Sequence, residues 1–111
     1  MEKKSRAFLI PYLTMIEDFL AGQMAEEELQ RVYQGYAVDD HTPMDPQGPE
    51  YHAVNEFFLD IEDYVEDPSL RRPEDFDDAE LRRRAERARG EMRSLLAETG
   101  EEPPADPGAA T

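Results

Sequence analysis

Few residues of this 111-residue chain combine the type and the spacing that covalent or metal chemistry needs. The two histidines, His41 and His52, lie in or beside a proline-rich stretch with no catalytic motif around them. Ser5, Ser69 and Ser94 lack the tight glycine-flanked turn that presents a nucleophilic serine. There is no cysteine, which removes thiolate nucleophiles, thiolate metal sites and disulfides together. Carboxylate metal centres in helical bundles use a Glu-x-x-His spacing, yet Val38 and Pro49 stand three residues before the histidines. Asp39-Asp40-His41 could hold a hard cation, but without the ligand spacing of a calcium loop. The expectation is a protein that is not an enzyme and has no cofactor and no metal.

Carboxylate is what the chain has in abundance, with 27 acids against 12 bases and a formal charge of −15. That charge repels nucleic acid and anionic membranes and favours a cationic partner. The acids are not spread evenly. Glu56, Asp60, Asp63 and Asp67 step by four, three and four residues, a spacing that lines one face of a helix. Glu62 and Glu66 widen this stripe, and Glu74, Asp75, Asp77 and Asp78 follow, so ten acids between Glu56 and Asp78 face only Arg71 and Arg72. Like charges at helical spacing cost a few tenths of a kcal/mol per pair; a partner-binding surface would explain that cost, and a face kept only for solubility is the equal alternative at this stage. The arginines concentrate instead at Arg82, Arg83, Arg84, Arg87, Arg89 and Arg93, interleaved with acids that can pair with them, so this stretch reads as a solvated helix face and not as a nucleic-acid site.

Four helices can be read beneath these charges. Leu9, Tyr12, Leu13, Ile16, Phe19 and Leu20 follow three-four spacing; Pro11 means that this helix either starts about there or is kinked, and Gly22 can stop it. Glu26, Glu27 and Glu28 open a second helix that carries Leu29, Val32, Tyr33 and Tyr36 on one face and ends near Val38. The run from Asp39 to Glu50 holds three prolines and a glycine and reads as a loop. A third helix places Val54, Phe57, Phe58, Ile61, Tyr64 and Val65 inward and ends before Pro68. The fourth is capped by Asp77, with Phe76 and Leu81 at hydrophobic-staple positions, and turns Leu81, Ala85, Ala88, Met92, Leu95 and Leu96 inward as far as about Glu98.

No segment alternates as a strand does, so the fold class predicted is all-α, an antiparallel four-helix bundle over residues 1–98. Residues 99–111, TGEEPPADPGAAT, read as an unstructured acidic tail. No apolar run approaches the roughly 20 residues that span a bilayer. The basic and apolar N-terminus is interrupted by Pro11 and followed by Glu17 and Asp18, unlike a cleaved signal, so a cytoplasmic location is expected.

Three stretches give the chain a likeness. YLTMIEDFLAGQMAEEELQRVY, FFLDIEDYVEDPSLR and FDDAELRRRAERARGEM, within a span from Phe8 to Ala97, resemble the colicin D-type bacteriocin immunity family, and the aromatic middle stretch is the most specific of them. The resemblance implies a helical bundle that binds the basic nuclease domain of a cognate bacteriocin, covers its cleft and imitates the phosphates of tRNA. Carried over position by position, Asp60, Glu62, Asp63 and Asp67 become interface candidates, with Tyr64 assigned to the core. Ala25, where a capping serine is expected, and the Asp39-Asp40-His41 loop depart from the pattern. The expected partner-binding set is therefore Glu56, Asp60, Glu62, Asp63, Glu66 and Asp67, with help from Asp39 and Asp40. The free protein is expected to be a monomer or weak dimer. The alternative is an acidic helical adaptor or self-associating bundle unrelated to toxins.

Overall fold

Pro11 falls in the first turn of the first helix, where its missing N–H has no partner to lose, and that helix ends after eleven residues, just ahead of Gly22. The computed structural model describes residues 5–64, 68–72 and 77–101; the backbone there forms helices and loops, with no strand among the described residues. A 3-10 turn at Ala7–Leu9 leads into α1, Ile10–Leu20, followed by α2, Glu26–Asp39, and α3, Pro49–Asp63. A second 3-10 turn at Pro68–Leu70 precedes α4, Asp78–Glu98.

The helix ends show why the elements stop where they do. Gly22 has φ +81°, and the Gln23 and Gly22 N–H groups return to the carbonyls of Asp18 and Phe19 at 2.9 and 3.1 Å. This closes α1 as a Schellman cap, a conformation glycine adopts without strain. Thr99, Gly100 and Glu101 close α4 in the same way, and the Glu101 carboxylate accepts the Arg6 N–H at 2.6 Å. The first three residues of the expected tail thus belong to the fold, and 102–111 lie outside the described residues. Asp77 caps α4 as expected, accepting from the Glu80 N–H at 2.9 Å. Phe76, its expected staple partner, lies outside the described residues.

Two boundaries differ from the sequence reading. The loop is shorter, because Asp39 stays in α2, and Pro49 and Glu50 already form the first turn of α3. At its other end α3 stops at Asp63, with Tyr64 extended, four residues ahead of the proline expected to end it. The Gln30 amide donates to the carbonyls of Ile61 and Tyr64 at 3.1 and 3.3 Å, filling acceptors that the end of a helix leaves open. Val65 lies outside the described residues.

Each helix packs on the next, α1 on α2, α2 on α3, α3 on α4, and α4 returns to α1. The core is built of the predicted stripes, with Leu9, Leu13, Ile16, Leu29, Tyr33, Phe57, Ile61, Leu81, Met92 and Leu96 fully enclosed. Aromatic rings hold its α1–α2–α3 side: Tyr12 lies 5.4 Å from Tyr33, and Tyr33 meets Phe57 edge to face at 5.2 Å. Tyr33 also donates its hydroxyl to the Val54 carbonyl at 2.9 Å, and burial pushes its pKa well above the ordinary value.

Four residues depart from the predicted core. Val32 and Phe58 are half-buried, and Tyr36 is 40 % exposed, its ring set against Tyr12 at the edge of the core. Glu17, by contrast, is an acid that joins the core, for it is 1 % exposed. One carboxylate oxygen accepts from Arg93 at 2.6 and 2.7 Å, while the other has no hydrogen bond and lies 3.8 Å from Arg89. These arginines of α4 bring charge to α1 and keep contact with water, which is how a buried acid remains tolerable.

Candidate partner-binding surface

On α3 the aligned acids divide by which neighbour they face. Asp60 turns toward α4, where its two oxygens accept from Arg84 and Arg87, each at 2.8 Å, and its side chain is 13 % exposed. Glu56, one turn earlier, meets Arg87 at 3.0 Å and His52 at 2.7 Å. Both therefore serve as ties between α3 and α4. Arg84 reaches across to Asp60, and Glu80 of its own helix takes Arg83 at 3.1 Å.

Arg87 also lies 3.8 Å from Glu91, within a trio of His52, Glu56 and Glu91 whose ligand atoms all stand within 4.8 Å of one another. Sequence spacing missed this grouping because Glu91 comes from α4. A guanidinium already supplies positive charge to both carboxylates of the trio.

Glu62 and Asp63 are different. Both are exposed, and neither forms an ion pair or hydrogen bond among the described residues. They end α3, where the helix dipole presents its negative pole and where no basic residue occupies the last turn. The Gln30 bonds bring the first turn of α2 to the same place, adding Glu26, Glu27 and Glu28. There the carboxylates favour the positive end of α2, whose N-cap, Ala25, offers no side-chain bond. Five carboxylates from two helices thus share one end of the fold.

Asp78 adjoins this end but is neutralised in place. It accepts from the Tyr64 hydroxyl and from Arg71 at 2.7 Å, while the Arg71 guanidinium lies over the Tyr64 ring at 5.4 Å. The Tyr64 hydrogen bond, aided by Arg71, holds the Asp78 carboxyl below its ordinary range. Tyr64 is buried, and that burial together with the bond to Asp78 raises its own pKa above the ordinary value. Glu66 and Asp67 lie outside the described residues.

Asp39 and Asp40 stand at the opposite end of α2. Asp39 is exposed, whereas Asp40 turns toward the body of the protein. Its Oδ2 accepts the Tyr12 hydroxyl at 2.7 Å, and its Oδ1 accepts the Thr42 N–H and hydroxyl at 3.0 and 2.7 Å. Burial alone would raise the Asp40 carboxyl, but these hydrogen bonds and nearby His41 hold it below its ordinary value. No lysine or arginine of the described residues pairs with it.

No helix among the described residues is long and apolar enough to cross a membrane. Comparisons with protein-family models, characterised proteins and solved structures give no match to this chain.

Proposed function

We propose that this protein is an antiparallel four-helix bundle that binds a basic protein partner through unpaired carboxylates. The observation that carries this reading is the state of Glu62 and Asp63, exposed and unneutralised at the helix end whose dipole opposes them. Other acids of this chain are neutralised internally where arginine is within reach, as Asp60, Glu56, Glu17 and Asp78 are. A cluster left open beside Glu26, Glu27 and Glu28 makes a field that attracts cations and speeds encounter with them.

The partner that fits is the basic nuclease domain of a bacteriocin, gripped in the cleft that binds RNA phosphates, and the function is immunity by occlusion in the cytoplasm. Two things support this sharper reading: the likeness of the three quoted stretches to colicin D-type immunity proteins, and carboxylates that can replace phosphates as acceptors for arginine and lysine. In this role Glu62 and Asp63 act directly, Asp39 and Asp40 contribute from the far end of α2, and Glu66 and Asp67 are included on their sequence position alone. Glu56 and Asp60 act by fixing α3 against α4. The test is to purify the protein with a basic nuclease domain encoded beside it and to measure RNA cleavage with and without the protein. Cleavage that stops at one equivalent supports immunity; cleavage unaffected by excess removes it.

A further inference from the structure

The Asp40 carboxylate lies in the wall of a cleft of about 320 Å³ between the end of α2, the loop after it and α3, lined by Tyr12, Val38, Met44, Tyr51 and Phe58 among others. We infer that this cleft is a socket for one arginine side chain of the basic partner, with Asp40 as the anion that receives its guanidinium. The inference deepens the partner-binding reading above and rests on it for the nature of the occupant.

Charge and shape select that occupant. Asp40 is an ionised acid without a basic partner among the described residues, in a cleft that is otherwise mostly apolar. A carboxylate has about four lone-pair positions, and Tyr12 with the two Thr42 donors occupies three, leaving one on Oδ2. Those three bonds fix the carboxylate before any partner arrives, so little ordering remains for binding to supply. The walls suit a long aliphatic stem, and Tyr51 and Phe58 bring aromatic rings to the lining, which suit a cation. Arginine is preferred over lysine because its guanidinium is more weakly hydrated and stacks on aromatic rings. Val38, 69 % exposed, and Tyr51, 39 % exposed, leave apolar surface at the mouth for the partner to cover.

The test uses the full chain and the blocked tripeptide acetyl-Gly-Arg-Gly-amide, followed through backbone amide signals. Saturable shifts at Thr42 and Asn55 are expected. Asp40→Asn, which keeps the shape and removes the charge, should weaken them about tenfold. Val38→Lys, which plants a tethered cation at the mouth without touching the core, should do the same with helicity unchanged. The lysine tripeptide should bind more weakly and the citrulline tripeptide should not bind. Equal binding by Asp40→Asn, or shifts confined to Glu62 and Asp63, would overturn the socket, as would the lack of any saturable shift. The outcome is separable from the broader reading. A nuclease domain that binds the protein and its Asp40→Asn variant equally removes the socket and leaves the acidic surface standing. Peptide binding at Asp40 without any nuclease inhibition does the reverse.

Discussion

Arg87 donates to Asp60 at 2.8 Å and forms an ion pair with Glu56 at 3.0 Å, so one guanidinium of α4 takes up two of the carboxylates that the sequence aligns on one helix face. What reads in one dimension as a uniform acidic stripe is, in three dimensions, an internal clamp followed by an open end. The two parts respond oppositely to mutation.

Asp60→Ala removes the acceptor of both Arg84 and Arg87 and should destabilise the protein by about 1.5–3 kcal/mol, the range for hydrogen bonds to charged groups. Glu62→Lys with Asp63→Lys should leave stability unchanged or raise it by about 0.3–1 kcal/mol, because cations suit the C-terminal end of α3. Urea unfolding of both variants checks the contrast. A charge reversal that stabilises the free protein while weakening its complex identifies these acids as kept for binding.

Glu17→Ala should cost about 2–3 kcal/mol, below the full cost of breaking a buried pair because Arg89 and Arg93 can turn to water. A double-mutant cycle with Arg93→Ala should return a coupling of about 1–2 kcal/mol. Additive losses would mean that the bond between them contributes nothing.

The folded Asp40 and Asp78 carboxyls lie below their ordinary value of 3.8. Their contribution to stability is therefore complete above that value and is lost as pH falls from it through the folded values. Tyr12 has the opposite sign: burial, then its bond to Asp40, raises it above 10.0, so its share is complete below that pH and is lost on going higher. Tyr12→Phe should flatten both limbs of the stability profile, since it removes the donor that links the two groups. Urea midpoints measured from about pH 3 to 11 test this; slopes identical to the parent protein at both ends would refute the linkage.

Two glycines should respond in opposite directions. Gly22→Ala forces a side chain into the left-handed region and should cost about 1–2 kcal/mol. Gly90 lies inside α4 with open space where a Cβ would go, so Gly90→Ala should gain about 0.5–1 kcal/mol. Thermal unfolding read by helicity follows both.

Periodicity carried much of this fold into view. The stripes of α1 and α4 lie where the three-four spacing put them, and Asp77 and Gly22 end their helices by the chemistry expected of them. Glu17 was legible by the same rule, since it stands four residues after Leu13 and three before Leu20, on the apolar stripe itself. Its type argued against burial, and only contact with Arg89 and Arg93 from α4 reconciles the two. The division of the acidic stripe could not be read at all. Glu56, Asp60 and Asp63 share a helix face by spacing, but which of them meets an arginine depends on how α4 crosses α3 and where it begins. The Asp40 cleft was hidden for a similar reason, because its walls come from α1, α2, the following loop and α3.

The central claim is that Glu62 and Asp63 form the surface that a basic nuclease domain engages. Its most direct measurement is the association rate of that domain with the parent protein and with the Glu62→Lys, Asp63→Lys variant across a range of ionic strength. A fast, steeply salt-dependent rate is expected for the parent and a rate slowed by about tenfold or more at low salt for the variant, with helicity intact. Equal rates and equal salt dependence for the two proteins would contradict it.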